Sequence, residues 1–210
     1  MTQEYQFTQP WFEHARPVWR ELLPQAKPTR LLEIGSFEGA SACFLIEQLA
    51  YNHPIELHCI DTWQGGLEHQ PGNSAPVDMR QVEQRFHHNI TLALSKAPHP
   101  VHFKCHKGRS ADVLARLLAD KGAGYFDFIY VDGSHQAADV LLDAVLSFQL
   151  LRNGGLLVFD DYLWSEPLPG GVDPLRCPKL AIDAFTTIYA RQLRIVSAPL
   201  YQLFVQKNPA

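Results

Sequence analysis

Cysteine is sparse in this chain: only Cys43, Cys59, Cys105 and Cys177 occur among 210 residues, and none forms a C-x-x-C pair. With no apolar signal-like stretch after Met1, this argues against a disulfide-stapled secreted scaffold and fits reduced thiols in the cytoplasm. Long apolar runs are missing as well. None reaches the roughly 18 residues that a bilayer crossing requires, so no membrane partner is expected. Nor is there a surplus of basic charge: 18 Lys and Arg stand against 22 Asp and Glu, a formal net charge of −4. A nucleic-acid binder would carry a basic stripe, and this chain has none. Internal repeats, low-complexity tracts and blocks of like charge are absent too, which removes solenoids and charged tails. A small-molecule substrate is the class that remains, and a homo-oligomer is compatible with everything so far.

What is present is enough apolar material, 46% of residues, to fill one large core, and a regular alternation of elements. Residues 1–28 read as an N-terminal helical segment rich in aromatics and proline, either packing on the domain or serving as a lid over a site. Residues 29–210 read as one domain. Strands are expected at 30–34, 57–60, 101–105, 126–131 and 156–159. Helices are expected at 39–51, 80–93, from Ser110 to near Gly122, and at 137–150, with apolar residues at three-to-four spacing. Ser110 can act as an N-cap, and Asn153-Gly154-Gly155 reads as a helix-to-strand turn. This alternation predicts an α/β fold: a single doubly wound, mostly parallel sheet covered by helices on both faces. The end of the chain breaks the pattern. After a helix at about 179–190, strands at 193–196 and 202–205 are joined by too few residues for a parallel crossover, so they form an antiparallel hairpin. Two long irregular stretches, 64–78 and 163–177, follow strand ends, where such loops are usually functional or mobile.

In parallel α/β sheets, ligands bind beyond the carboxyl ends of the strands. Tyr130–His135 reads YVDGSH and 156–162 reads LLVFDDY, each an apolar strand running into acid, so Asp132, Asp160 and Asp161 should meet at one rim. The segment LLEIGSFEGAS places Gly35, Ser36 and Gly39 in the turn between the first strand and its helix. There, missing side chains let a ligand approach the backbone, or simply permit tight helix packing. A dinucleotide fingerprint would want glycine at Phe37 as well, and Glu33 would repel a pyrophosphate. A cofactor carrying a cationic amino-acid portion would tolerate that acid. Asp61 ends the second strand, where an acid can accept both ribose hydroxyls, with Thr62 and Trp63 beside it. Trp63 would wall the adenine, or be a buried loop aromatic. Gly108-Arg109-Ser110 opens the fourth helix at a place where adenine could lie.

Glu33-x-Gly35-x-x-x-Gly39, Asp61 and the terminal hairpin together resemble the class I S-adenosylmethionine-dependent methyltransferases, over about residues 30–207. Asp132, Asp160 and Asp161 resemble the metal ligands of the metal-dependent O-methyltransferases, of which the catechol type and the macrocin-like sugar type are two branches. The catechol type usually has Asn at the position of Asp161, and a lysine where this chain has Gly133-Ser134-His135. The D-G-S-H string is similar to the sugar branch, in which the histidine would be the general base. The resemblance thus implies S-adenosylmethionine at Glu33, Gly35, Ser36, Gly39, Asp61, Thr62, Trp63, Gly108, Ser110 and Asp132. It implies Mg²⁺ or another divalent cation at the three aspartates, and His135 as the catalytic residue.

The chemistry is coherent in its own terms. Mg²⁺ takes oxygen ligands and keeps waters that substrate hydroxyls can replace; coordination lowers a hydroxyl's pKa, and a histidine can take its proton. The expected activity is Mg²⁺-dependent O-methylation of a hydroxylated small molecule, a sugar or polyhydroxylated natural product. The rivals are a nicotinamide-dependent oxidoreductase, a metal-site oxygenase, and a binding domain that kept the fold without activity. The bland readings are that Asp160-Asp161 caps a loop and that His135 is structural.

Overall fold

The structure is a computed structural model that describes residues 4–70, 73 and 75–209. Part of the 64–78 loop (residues 71, 72 and 74) and the first three residues of the N-terminal segment lie outside the described residues. The elements run α1 (Arg16–Ala26), β1 (Arg30–Ile34), α2 (Ala40–Leu49), β2 (Ile55–Asp61), α3 (Met79–Lys96), β3 (Val101–Lys107), α4 (Ser110–Lys121), β4 (Phe126–Val131), α5 (Ala137–Leu150), β5 (Leu151–Phe159), α6 (Pro178–Ile188), β6 (Leu193–Val196) and β7 (Leu203–Lys207). Single 3₁₀ turns at Leu67–His69 and Pro174–Arg176 interrupt the two long loops.

The strands form one seven-stranded sheet in the order β3-β2-β1-β4-β5-β7-β6. β1 to β5 pair in parallel, while β7 runs antiparallel to both β5 and β6. This is a Rossmann-like methyltransferase fold of class I, with the antiparallel hairpin that the short 197–201 connection requires. Two cores result, one on each face. Trp19, Phe44 and Phe86 from α1, α2 and α3 pack on one side, and Leu117, Phe148 and Phe185 from α4, α5 and α6 on the other. The N-terminal segment is part of the first core: Trp19 is 1% exposed, and its Nε1 donates to Gln202 Oε1 at 2.7 Å.

The fifth strand differs from expectation. It begins at Leu151, five residues before the predicted start. Phe126 pairs with Leu151 and Phe128 with Leu156, so residues 152–155 bulge out within the strand and are not a turn before it. Gly154 supplies the positive φ of 74° there, and a Cβ on Gly155 would lie 2.7 Å from Leu151 Cδ1. Arg152, thrown outward, donates from Nε to Asp127 Oδ1 at 2.7 Å. Asp127 Oδ2 in turn accepts from the Thr29 and Arg30 amides at 2.8 and 2.9 Å, tying the starts of β1, β4 and β5 together.

At the other edge the strand ends are laced by four backbone bonds. Gly35 N donates to Ile60 O and Asp132 N to Ile34 O, both at 2.8 Å; Asp160 N donates to Val131 O and Gly108 N to Asp61 O, both at 2.9 Å. A Cβ on Gly35 would sit 1.9 Å from the Asp132 carbonyl oxygen, and φ there is +81°. Only glycine can stand so close to a neighbouring backbone in that conformation. Gly35→Ala should therefore lower the stability by roughly 2 kcal/mol or more. Urea unfolding is the measurement: a midpoint equal to that of the wild type would show that the edge tolerates a side chain there.

Candidate active site

A cavity of about 1110 Å³ opens along this laced edge. Of the residues expected to hold a cofactor, Gly35, Ser36, Asp61, Thr62, Gly108, Ser110 and Asp132 line it. Asp61 is already engaged. Its Oδ2 accepts from the Ser36 and Phe37 amides at 2.8 and 2.9 Å, and its Oδ1 from the Trp63 amide at 2.7 Å. A carboxylate has about four lone-pair sites. In this arrangement one remains, on Oδ1, so Asp61 can receive one ribose hydroxyl where the sequence suggested two.

Glu33, Gly39 and Trp63 do not line the cavity. Glu33 is fully buried beneath the glycine turn, accepting from the Ser36 hydroxyl at 2.8 Å, the Ser41 hydroxyl, and the Cys59 thiol at 3.2 Å. Burial pushes its carboxyl up, although these hydrogen bonds oppose the shift. It braces the turn from below. Gly39 has φ +81°, and its missing Cβ would meet the Phe86 ring at 3.0 Å, so packing of α2 on α3 requires it. Trp63 is the buried loop aromatic: its ring lies 4.8 Å from that of Phe86, and its Nε1 donates to Phe37 O at 3.0 Å. Ser110 is the first residue of α4 and not its cap, a place taken by Arg109.

Asp132, Asp160, Asp161 and His135 all line the cavity. Tyr130, buried in the β4 strand, places its hydroxyl 2.9 Å from Asp132 Oδ2 and also in contact with Asp160 Oδ2. A phenol has one proton to donate. Burial, and then the charge of neighbouring acids, pushes the carboxyls of Asp132 and Asp160 above their ordinary range. Gln202 Nε2 donates to Asp160 Oδ2 at 3.0 Å, and the Asp161 amide to Asp160 Oδ1 at 2.8 Å. Asp161 turns elsewhere. With φ +54° it directs Oδ2 to His135 Nε2 at 2.9 Å, and the imidazole packs on Trp164 at 4.0 Å between centroids. The shared rim is there, but the three carboxylates do not converge. Among the described residues, no group of three or more His, Cys, Asp or Glu side chains is arranged to hold a metal ion. Their oxygen-donor chemistry suits a hard cation; their geometry would require Asp161 to leave His135.

Within the N-terminal segment, which the sequence offers as a packing element or a lid, Gln9, Pro10, Trp11, Phe12 and His14 line the cavity, held where Thr8 N and Oγ1 donate to the buried Glu38 carboxylate at 2.6 and 2.8 Å. Trp11 packs against Phe37 with its ring tilted by 40° and the centroids 4.9 Å apart, and His14 approaches Asp160 at 3.9 Å. These contacts join segments far apart in the chain, which local pattern cannot reveal. Asp143, midway along α5, is 1% exposed, lines the cavity, and has no hydrogen-bond partner at Oδ1. Its place on the inner face of a helix was readable; its lack of a partner was not.

The glycine turn, the acid at the β2 end and the acids beyond β4 and β5 give this fold the layout of a methyltransferase. The chain belongs to the methyltransferase domain family, whose model matches residues 32–162, more than half of its length. Its fold is similar to that of an O-methyltransferase from Bacillus cereus in complex with SAH, at 16% identity, 98% coverage of this chain, 84% of that one, and a TM-score of 0.61. It is likewise similar to TomG, an O-methyltransferase of tomaymycin synthesis from Streptomyces achromogenes in complex with SAM, at 18% identity, 98% and 82% coverage, and a TM-score of 0.61. A Corynebacterium glutamicum protein matches at 20% identity, 98% and 93% coverage, and a TM-score of 0.59. No curated protein matches the sequence. Among the described residues no helix is long and apolar enough to cross a membrane.

Burial pushes the Asp143 carboxyl from its usual 3.8 up to about 7, with the Ser110 hydroxyl opposing and Asp139 adding to the shift. Between these values the folded state binds more protons than the unfolded state, so stability falls as pH rises through that window. Asp143→Asn should flatten the slope of unfolding free energy against pH between about 4 and 7, while the other buried acids keep their share. Parallel urea titrations across this window would show it; identical slopes in both proteins would contradict it.

Proposed function

We propose that the protein is an S-adenosylmethionine-dependent O-methyltransferase acting on a hydroxyl of a small molecule, a sugar or polyhydroxylated natural product. The observation that carries this reading is the single cavity shared by the Gly35–Phe37 turn, Asp61 and the acids around His135, because methyl donor and proton acceptor must face one space. The SAH and SAM bound to the two similar O-methyltransferases support the choice of cofactor. An oxidoreductase is disfavoured: Phe37 stands where a dinucleotide loop wants its middle glycine.

In this reading the glycine turn offers the cofactor close backbone approach and Asp61 its remaining lone pair, and the acceptor lies over the β4 and β5 ends against Tyr130, Trp164 and His135. The acceptor's O–H proton passes to His135 Nε2. The oxygen forms a bond to the methyl carbon as the S–CH₃ bond breaks, its electron pair returning to sulfur as a neutral thioether. Nε2 is the nitrogen that Asp161 occupies in this structure, so productive binding requires Asp161 to turn away. The finer part of the proposal is a divalent cation held by Asp132, Asp160 and Asp161. It would neutralise acids that the single Tyr130 proton cannot serve, and it would polarise the acceptor hydroxyl. The same turn of Asp161 would free both groups.

Two outcomes test this. Incubation with S-adenosylmethionine and a panel of sugars and polyhydroxylated natural products should yield a product heavier by one methylene. His135→Ala should then slow single-turnover methyl transfer by roughly 10²–10⁴-fold while leaving SAH affinity within about threefold. Equal single-turnover rates would remove His135 as the base. Separately, excess EDTA should abolish turnover and Mg²⁺ restore it. Full activity in EDTA, with no metal in the protein, would leave O-methylation standing and refute the cation.

A further inference from the structure

We propose that Asp143 reads the purine of the cofactor, its buried carboxyl accepting a hydrogen bond from the exocyclic amine of adenine. This rests on the S-adenosylmethionine reading above and adds to it the residue that selects an amino-purine. The sheet order divides the cavity. Tyr130, Asp160, Trp164 and His135 sit over β4 and β5, where the methyl must be delivered. Asp143 sits on α5 beside Ser110, the first residue of α4, which leads away from β3 at the opposite edge of the sheet. With Asp61 at the end of the intervening β2, the adenosine lies across the β1–β2–β3 half and brings its base to the cleft between α4 and α5.

The chemistry of that cleft fits a neutral, planar ring bearing an amine. Ile34, Ala111 and Leu142 give it apolar surface, and Gly108 leaves backbone exposed. After β3 the lining residues Gly108, Arg109, Ser110 and Ala111 include no carboxylate or amide side chain that could accept from the amine. Asp139 and Gln136 also line the cavity from α5, but Asp143 is the buried acceptor, with one carboxyl oxygen unpartnered and, among the described residues, no basic side chain paired to it. Leaving a buried carboxyl oxygen unmatched costs free energy, which a bound amine would recover. Gly133, at the β4–α5 turn, completes the fit. The Cβ it lacks would lie 3.9 Å from Asp143 Oδ2 and 3.3 Å from Ile34 Cγ2, narrowing the passage beside the carboxyl. Where the Asp143 carboxyl is ionised, a 6-oxo purine would instead present a carbonyl to it, acceptor against acceptor. Sites that match a hydrogen-bonding group reject analogues lacking it far more strongly than apolar pockets do.

Isothermal titration at about pH 8.5, above the range in which Asp143 titrates, with S-adenosylhomocysteine and its 6-oxo analogue S-inosylhomocysteine tests the assignment without any acceptor substrate. The wild type should favour the adenine form by about 10²-fold or more. In Asp143→Ala that ratio should fall at least about tenfold. In Asp143→Asn it should fall further, because the amide can donate to the 6-oxo group. Asp143→Asn is nearly isosteric, and circular dichroism would confirm its fold. A wild type that binds both ligands equally, or ratios unchanged in both variants, would overturn the role of Asp143 while leaving the cofactor intact. Failure of the wild type to bind S-adenosylhomocysteine at all would overturn the cofactor reading and this one with it.

Discussion

The backbone of Gly35 presses on the Asp132 carbonyl, and the functional edge of the protein depends on that approach. The contact brings the ends of β1 and β4 together where a Cβ would stand 1.9 Å from an oxygen. The Gly35 and Asp132 amides then find partners on Ile60 and Ile34, which fixes the stagger of β2, β1 and β4. Everything beyond inherits this register: the turn amides that hold Asp61, the place of Asp132 beside Asp160, and the passage that Gly133 leaves open. At the opposite edge Asp127 does similar work with side-chain bonds to β1 and β5. Both edges of the parallel sheet are therefore pinned, one by close packing and the other by charge. Loops can diverge between them without moving the strand ends.

Strain collects at the same edge. Phe37, Trp63 and Asp161 adopt φ of 47°, 48° and 54°, and they follow β1, β2 and β5 in turn. Such conformations cost of order 1 kcal/mol or more for residues other than glycine, and they persist where the surroundings over-determine them. Each has its restraint here. Phe37 N is held by Asp61, Trp63 Nε1 by the Phe37 carbonyl, and Asp161 Oδ2 by His135. The Asp61 carboxylate thus serves as a hub that stabilises two strained turns, which explains why three of its lone pairs are spoken for. A ligand there adds to an organised site and does not have to organise it.

The sequence made the frame legible because β/α alternation and acid-terminated strands are local signals. Strands β1 and β4 and helix α5 lie where periodicity put them, and the hairpin of β6 and β7 follows from a connection too short to cross over. The bulge in β5 was missed because Asn153-Gly154-Gly155 has turn chemistry wherever it sits, and only pairing with β4 shows that the strand continues through it. Glu33, Gly39 and Trp63 carry a recognisable spacing, yet their side chains or missing side chains face the interior. Spacing says which turn is built and not which atoms line it. The same limit hid Tyr130, Gln202 and Glu38, whose roles depend on partners many residues away.

The excess of acid around Tyr130 bears on how rate could be gained. In the proposed reaction the cofactor arrives with a positive sulfonium and leaves as a neutral thioether, so a negative wall favours the bound reactant over the product. That preference aids binding and product release, but it stabilises the ground state at least as well as the transition state, where the charge is already dispersing. It therefore cannot accelerate the step. Acceleration has to come from alignment of the acceptor oxygen with the methyl group and from removal of its proton. In the proposed reaction both would fall to the surroundings of His135. Trp164 packs on the imidazole of His135 and fixes its plane, while Asp161 occupies the nitrogen that the proton would need. The resting pair keeps that nitrogen from the solvent until an acceptor displaces it.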